Sequence, residues 1–144
     1  MDKIRVSVVE FTEDPGPRYI RQDKEGGKTS GEAFYLYKLN EIFAQCFIEN
    51  KHLVLVLDGV SGYPSSFLDE AIGELVYDFS LAIVSSMLEF DTLMYKKRVA
   101  QVKDETYPQW ESRRVKKDKV VHSPNINVTI KTLSENGNLV DKQI

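Results

Sequence analysis

The chain has 144 residues, 19 lysines and arginines against 22 acids, a net charge of −3, and a hydrophobic content of 42%. That is enough apolar material for one core without metals or cross-links, while a single cysteine excludes an intramolecular disulfide and two histidines argue against a dense imidazole cluster. The acidic balance gives no support to wholesale coating of nucleic acid. Charges interrupt the short apolar run at the start, unlike a secretory leader. The longest low-charge stretch, 79–88, is about half of a membrane span, so the expectation is a cytoplasmic protein with no membrane contact.

Residues 3–11 alternate and are rich in β-branched side chains, with Ile4, Val6, Val8 and Phe11 as inner-face candidates, and read as a strand. Residues 12–28 hold Pro15-Gly16-Pro17 and Gly26-Gly27 among many charges and read as a long loop. Thr29-Ser30-Gly31-Glu32 offers a capping box with Thr29 as cap and Glu32 reaching back. The helix it opens buries Tyr35, Leu39, Ile42 and Cys46, with Leu36, Phe43 and Phe47 widening the stripe, and runs to about residue 50. Residues 52–57 form a continuous apolar run after His52, expected as a strand buried on both faces at the centre of a sheet.

A loop follows from Asp58, and Ser66 with Asp69 fits a second capping arrangement. Leu68, Ala71, Ile72, Leu75, Val76 and Phe79 then keep helical spacing. Residues 80–90 read as more helix leading into a short strand. Residues 92–105 read as helix, interrupted or ended by Pro108. Residues 127–133 are a strand candidate, and Asn136-Gly137 signals a type I′ hairpin. The order β-α-β-α-(β)-α predicts an α/β fold, with α+β as the alternative, in which helices pack on a small sheet. The expected division is a domain over 1–107 and a basic linker with a hairpin tail over 108–144.

Few motifs carry chemistry. Gly26-Gly27-Lys28-Thr29 lacks the upstream glycine of a phosphate-binding loop, Gln22 standing in its place. Asp58, Asp69 and Glu70 gather near one strand end, where a magnesium site is conceivable, but helix-dipole and turn roles account for them. His52 reads as structural or exposed, and Cys46 as buried and inert. No nucleophile, base and oxyanion hole assemble, so no enzyme, metal or cofactor is expected. A third alternative is an enzyme using Asp58 and Asp69 around a metal.

Residues 96–119 hold nine basic residues against four acids, a net +5 that leaves −8 for the rest. A solvated helix face with a charged linker explains such a run. Alternatively, Tyr107 and Trp110 stack bases while Arg113, Arg114, Lys116 and Lys117 meet phosphates.

The most informative segment delivers Ser65 and Ser66 from a buried strand to the mouth of a helix, whose free amides and dipole suit a phosphate. This run resembles the STAS domain, named for sulfate transporters and anti-sigma-factor antagonists. It is more closely similar to the STAS-like family of unknown function, through Gly16-Pro17-Arg18, Ser30-Gly31-Glu32-x-Phe34 and Ser66-Phe67-Leu68-Asp69-Glu70-Ala71. The resemblance covers roughly residues 3–105. It implies that Ser65 stands at the phosphoacceptor position of the antagonists and Ser66 at the next hydroxyl. Pro64 replaces the usual acid before the serine, and Phe67 the usual glycine after the pair. It further implies a non-enzymatic bacterial regulatory or adaptor domain whose partner is a histidine-kinase-like ATPase. Contact is expected through Tyr63, Pro64, Phe67, Asp69 and Glu70, and a phosphate would break it. The alternative is a nucleic-acid-associated or phage-defence accessory protein using the basic segment.

Overall fold

In the computed structural model, which describes residues 2–24 and 27–144, β1 (Lys3–Ser7) gives way to a single helical turn, α1 (Val8–Phe11), so the first strand is shorter than its alternation predicts. β1 pairs in parallel with β2 (His52–Val56), and β2 with β3 (Leu88–Asp91), in the order β1-β2-β3. Sequential parallel order sends both crossovers over one face when each has the usual right hand. Side-chain alternation reports the result. Leu53 and Leu55 are fully buried beneath the helices, whereas Lys3, Arg5, His52, Glu89 and Asp91 occupy the opposite, open face around Val54. There Lys3 Nζ donates to Glu89 at 2.9 Å, His52 Nδ1 lies 2.8 Å from the other Glu89 oxygen, and Arg5 pairs with Asp91.

The first crossover is one unbroken helix in three parts: α2 (Gly31–Phe34), a π-helical turn (Tyr35–Leu39) and α3 (Asn40–Glu49). Its cap is Ser30, whose Oγ accepts from Ala33 N at 3.0 Å. Thr29, the expected cap, instead donates its hydroxyl to Asp23, and Glu32 turns inward. The second crossover is α4 (Ser65–Phe79), then a break at Ser80 (φ 80°) and α5 (Leu81–Met87). α2 and α4 touch through Gly31, where a Cβ would lie 2.3 Å from the Phe67 carbonyl oxygen. The core between sheet and helices holds Phe34, Phe43, Phe67, Leu75 and Phe79, all wholly buried.

Pro108 does not end its helix. α6 (Lys96–Gln101) passes through a π-helical turn (Val102–Thr106) into α7 (Tyr107–Lys116), with Pro108 in the first turn of α7. Proline lacks an N–H and clashes with the carbonyl four residues back in a regular α-helix; the wider preceding turn relieves both. The segment expected as a linker is therefore helical at its start, and α7 packs on α4. Its Trp110 ring lies over Gly73, where a Cβ would fall 2.1 Å from the indole.

The expected hairpin forms from β4 (Thr129–Leu133) and β5 (Leu139–Gln143). Its turn is not type I′: Gly137 alone has positive φ (82°), and Gly137 N donates to Ser134 O at 2.9 Å, a type I turn followed by a left-handed glycine. The hairpin is pinned to α3 by the Asn40 side chain, which donates to Lys131 O at 2.8 Å and accepts from Lys131 N at 2.9 Å. Residues 108–144 thus form a third layer over the helices. No helix among the described residues is long and apolar enough to cross a membrane.

Candidate functional site

The carboxyl end of a parallel sheet is where loops converge on helix N-termini. Here it brings together the 58–65 loop, the start of α4 and the 92–98 segment. Ser65 is exposed in the first turn of α4, behind Pro64, and among the described residues no side chain caps that helix. Ser65 lines a cavity of about 220 Å³ with Arg18, Asp69, Arg98, Gln101 and Thr106. Arg98 and Gln101 also line a second hollow with Tyr63, Met94 and Tyr95, so the two adjoin at these side chains. Beside them Leu93 and Met94 are 82% and 74% exposed.

Only part of the expected contact surface lies outside. Pro64 and Ser65 are exposed, and Ser66 and Asp69 are half-buried. Tyr63, Phe67 and Glu70 are buried, which corrects their expected place in a contact surface. Tyr63 donates its hydroxyl to Leu57 O at 2.6 Å and meets Tyr95 edge-on at 4.8 Å, and burial pushes its phenol up. Phe67 stacks on Phe34 with ring centroids 5.8 Å apart; the aromatic that replaces the usual glycine has gone into the core. Asp69 does not cap α4, because its carboxylate accepts from Arg18 Nη1 at 2.8 Å, Thr106 Oγ1 at 2.8 Å and Trp110 Nε1 at 3.3 Å.

The expected acid cluster around Asp58 does not assemble. Asp58 accepts from the Thr92 hydroxyl at 2.5 Å and the Leu93 amide at 2.8 Å, which holds its carboxylate below the usual range, while Asp69 serves the separate set above. Nor is the basic run a stacking platform, since Tyr107 and Trp110 are 7% and 3% exposed. Arg113 lies over the Trp110 ring at 4.1 Å, Arg114 forks onto Glu111 at 2.6 and 2.7 Å, and Lys117 pairs with Glu135. Lys116 is exposed at the end of α7. His52 sits on the open sheet face, and Cys46 is buried with its thiol pushed up by burial. Gly26 of the Gly-Gly-Lys-Thr run lies outside the described residues, as do Met1 and Glu25.

A second cluster escapes the sequence reading. α4 carries Glu70, Glu74 and Asp78 at four-residue spacing, and all three are buried. Each meets a basic side chain from elsewhere in the chain. Arg18 Nη1 donates to Glu70 at 3.0 Å, His122 Nε2 lies 2.5 Å from Glu74 Oε1, and Lys142 Nζ donates to Asp78 at 2.8 Å. Tyr35 also donates its hydroxyl to Asp78 at 2.5 Å and accepts from Asn40 at 2.9 Å, five residues on across the π turn. Glu32 in α2, wholly buried, accepts from Ile20 N at 2.9 Å, Ser123 N at 3.0 Å and the Ser123 hydroxyl at 2.5 Å.

Burial raises Glu70 and Glu74 alike. Arg18 partly offsets the rise at Glu70, and Asp78 and Glu32 add to it at Glu74. Burial also holds the His122 imidazole below its usual value, towards the neutral form. With both glutamates ionised, Glu74 Oε2 is enclosed and has no hydrogen-bond partner among the described residues; a proton on Glu70 would bridge the two carboxyls.

Residues 30–93 match the model of a family described as a STAS-like domain of unknown function. The match takes in Ser65, Ser66 and the acids Glu32, Glu70, Glu74 and Asp78. It leaves out Arg18, His122 and Lys142, which face three of those acids. No curated protein and no solved structure matches the chain.

Proposed function

Proceeding from residues 30–93 as a STAS-like domain of unknown function, we propose that the chain is a non-enzymatic regulatory or adaptor domain that binds a protein partner at the start of α4. The observation that carries this is the placement of Ser65. It is an exposed hydroxyl on the first turn of a 15-residue helix, at the carboxyl end of the sheet, in a hollow that shares Arg98 and Gln101 with a second one lined by the exposed Met94. The contact surface on this reading is Pro64, Ser65, Ser66, Asp69 and the 93–98 segment, with Tyr63, Phe67 and Glu70 supporting it from inside. By its resemblance to the antagonists, the partner is a histidine-kinase-like ATPase and Ser65, or Ser66 beside it, is the phosphoacceptor. A phosphate there adds roughly −2 charge beside Arg98, whose guanidinium otherwise bonds the neutral Gln101 at 2.8 Å. An interface matched to a neutral serine is lost when that charge arrives.

The immobilised full chain, exposed to native lysate, tests this by mass spectrometry of the captured proteins and of residues 60–73. An ATPase of that superfamily is expected to be retained by the wild type and released at least about tenfold by Ser65→Asp, the scale of a buried interfacial charge left unpaired. Unchanged capture by both Ser65→Asp and Ser66→Asp rejects the switch. Retention that ignores Leu93→Ser and Met94→Ser places the interface elsewhere.

A further inference from the structure

Glu32, Glu74 and His122 bring one ligand atom each within 4.8 Å of one another, the acid-histidine grouping of metal-ligand dimensions found among the described residues. We propose that these three residues form a binding site for a first-row divalent transition metal ion, of which Zn²⁺ is the type, and that the ion staples the returning chain to α2 and α4. Three observations support it independently of the partner-binding reading.

The first is chemical. One imidazole and two carboxylates make a mixed nitrogen and oxygen set that suits zinc or iron(II) better than the all-oxygen ions calcium and magnesium. Bonds of about 2.0–2.2 Å put tetrahedral ligand atoms roughly 3.4 Å apart, within small rotamer adjustments of the observed grouping. The second is the orphaned Glu74 Oε2, on a side chain 3% exposed, which an ion would satisfy. The third is support and access. Glu32 is held from behind by Ile20 N and Ser123, as metal-binding carboxylates commonly are, and His122 and Ser123 line a cavity of about 490 Å³ under the hairpin by which an ion can enter. The remaining charged groups around the site are Glu70 and Asp78 on α4, Arg18 and Lys142, so two ionised ligands and a divalent ion add no net charge to the seam.

The test uses the full chain stripped with chelator. One equivalent of Zn²⁺ is expected to remain bound through gel filtration and to raise Tm. Co²⁺ in its place is expected to give the visible absorption of a four- or five-coordinate ion. Glu74→Gln and His122→Gln are expected to weaken binding roughly a hundredfold or more, and Ser123→Ala, behind Glu32, about 10–100-fold. His52→Gln, on the open sheet face, should bind as the wild type does, and far-UV circular dichroism checks that each variant folds. A wild type that retains no zinc and gives no cobalt spectrum overturns the site and leaves a shared Glu70–Glu74 proton as the account of the orphaned oxygen. Zinc binding that survives both Glu74→Gln and His122→Gln overturns it equally.

Discussion

Two sets of charged residues lie on opposite sides of the helical layer. On the open face of the sheet, Lys3, Arg5, His52, Glu89 and Asp91 pair across strands with water on one side; their side chains are 28–59% exposed. In the seam between α4 and the returning chain, Arg18, Glu32, Glu70, Glu74, Asp78, His122 and Lys142 use the same chemistry, but there the four acids are almost wholly enclosed while Arg18 and Lys142 keep about 30% of their side chains in water. The short pairs look alike, but their energetics differ. An exposed pair gives up little hydration and gains little. A buried one has lost its hydration, so each partner depends on the other and on every further donor that reaches it. The open face is therefore expected to tolerate replacement, and the seam, which joins α2 and α4 to the returning chain, is not.

Breaking the seam at its most enclosed member should have the largest effect. Glu32→Ala leaves the Ile20 and Ser123 amides without their acceptor, and the loss of two such bonds should destabilise the chelator-treated protein by about 3 kcal/mol or more in urea unfolding. Next comes the contact that seats the outer layer. Gly73→Ala drives a methyl into the Trp110 ring and should cost about 1–3 kcal/mol, with a change in indole fluorescence as α7 lifts from α4.

A smaller effect concerns Tyr107 under that same layer, whose phenol burial pushes up to about 12. The folded state keeps its proton where the unfolded chain has begun to lose it. Stability is therefore full below pH 10, falls as pH rises from about 10 to about 12, and Tyr107→Phe should remove that part of the slope in a pH series of unfolding curves. The smallest effect belongs to the open face: Glu89→Gln, which weakens the pairs with Lys3 and His52 together, should leave Tm unchanged in calorimetry. A large fall there, or none for Glu32→Ala, would erase the contrast between the two sides.

Much of the frame is legible in the residues. The apolar run from Leu53 is the central strand, the stripe from Leu68 to Phe79 is α4, and the turn residues before Leu139 close a hairpin. The resemblance carried by Ser30-Gly31-Glu32 and Ser66-Phe67-Leu68 falls inside the residues that match the family model. What escaped was context. Glu70, Glu74 and Asp78 share one helix face, and three acids at four-residue spacing ordinarily mark a face turned to water. The residues that change this are 48 and 64 positions away from their partners, at His122 and Lys142. Tyr63 and Phe67 show the converse: expected at a contact surface beside two serines, they are buried, because a large aromatic ring loses most by staying in water when the core has room for it.

The sequence by itself determined the order of strands and helices, the position of Ser65 and Ser66 at the mouth of α4, and the uneven spread of charge, because these depend on periodicity, turn chemistry and counting. Only the tertiary structure decided which charges are buried, that Pro108 lies within a helix, and that residues 108–144 cover the domain. Burial is a property of what folds over a residue. Here that cover comes from the far end of the chain, where local pattern carries no record of its destination.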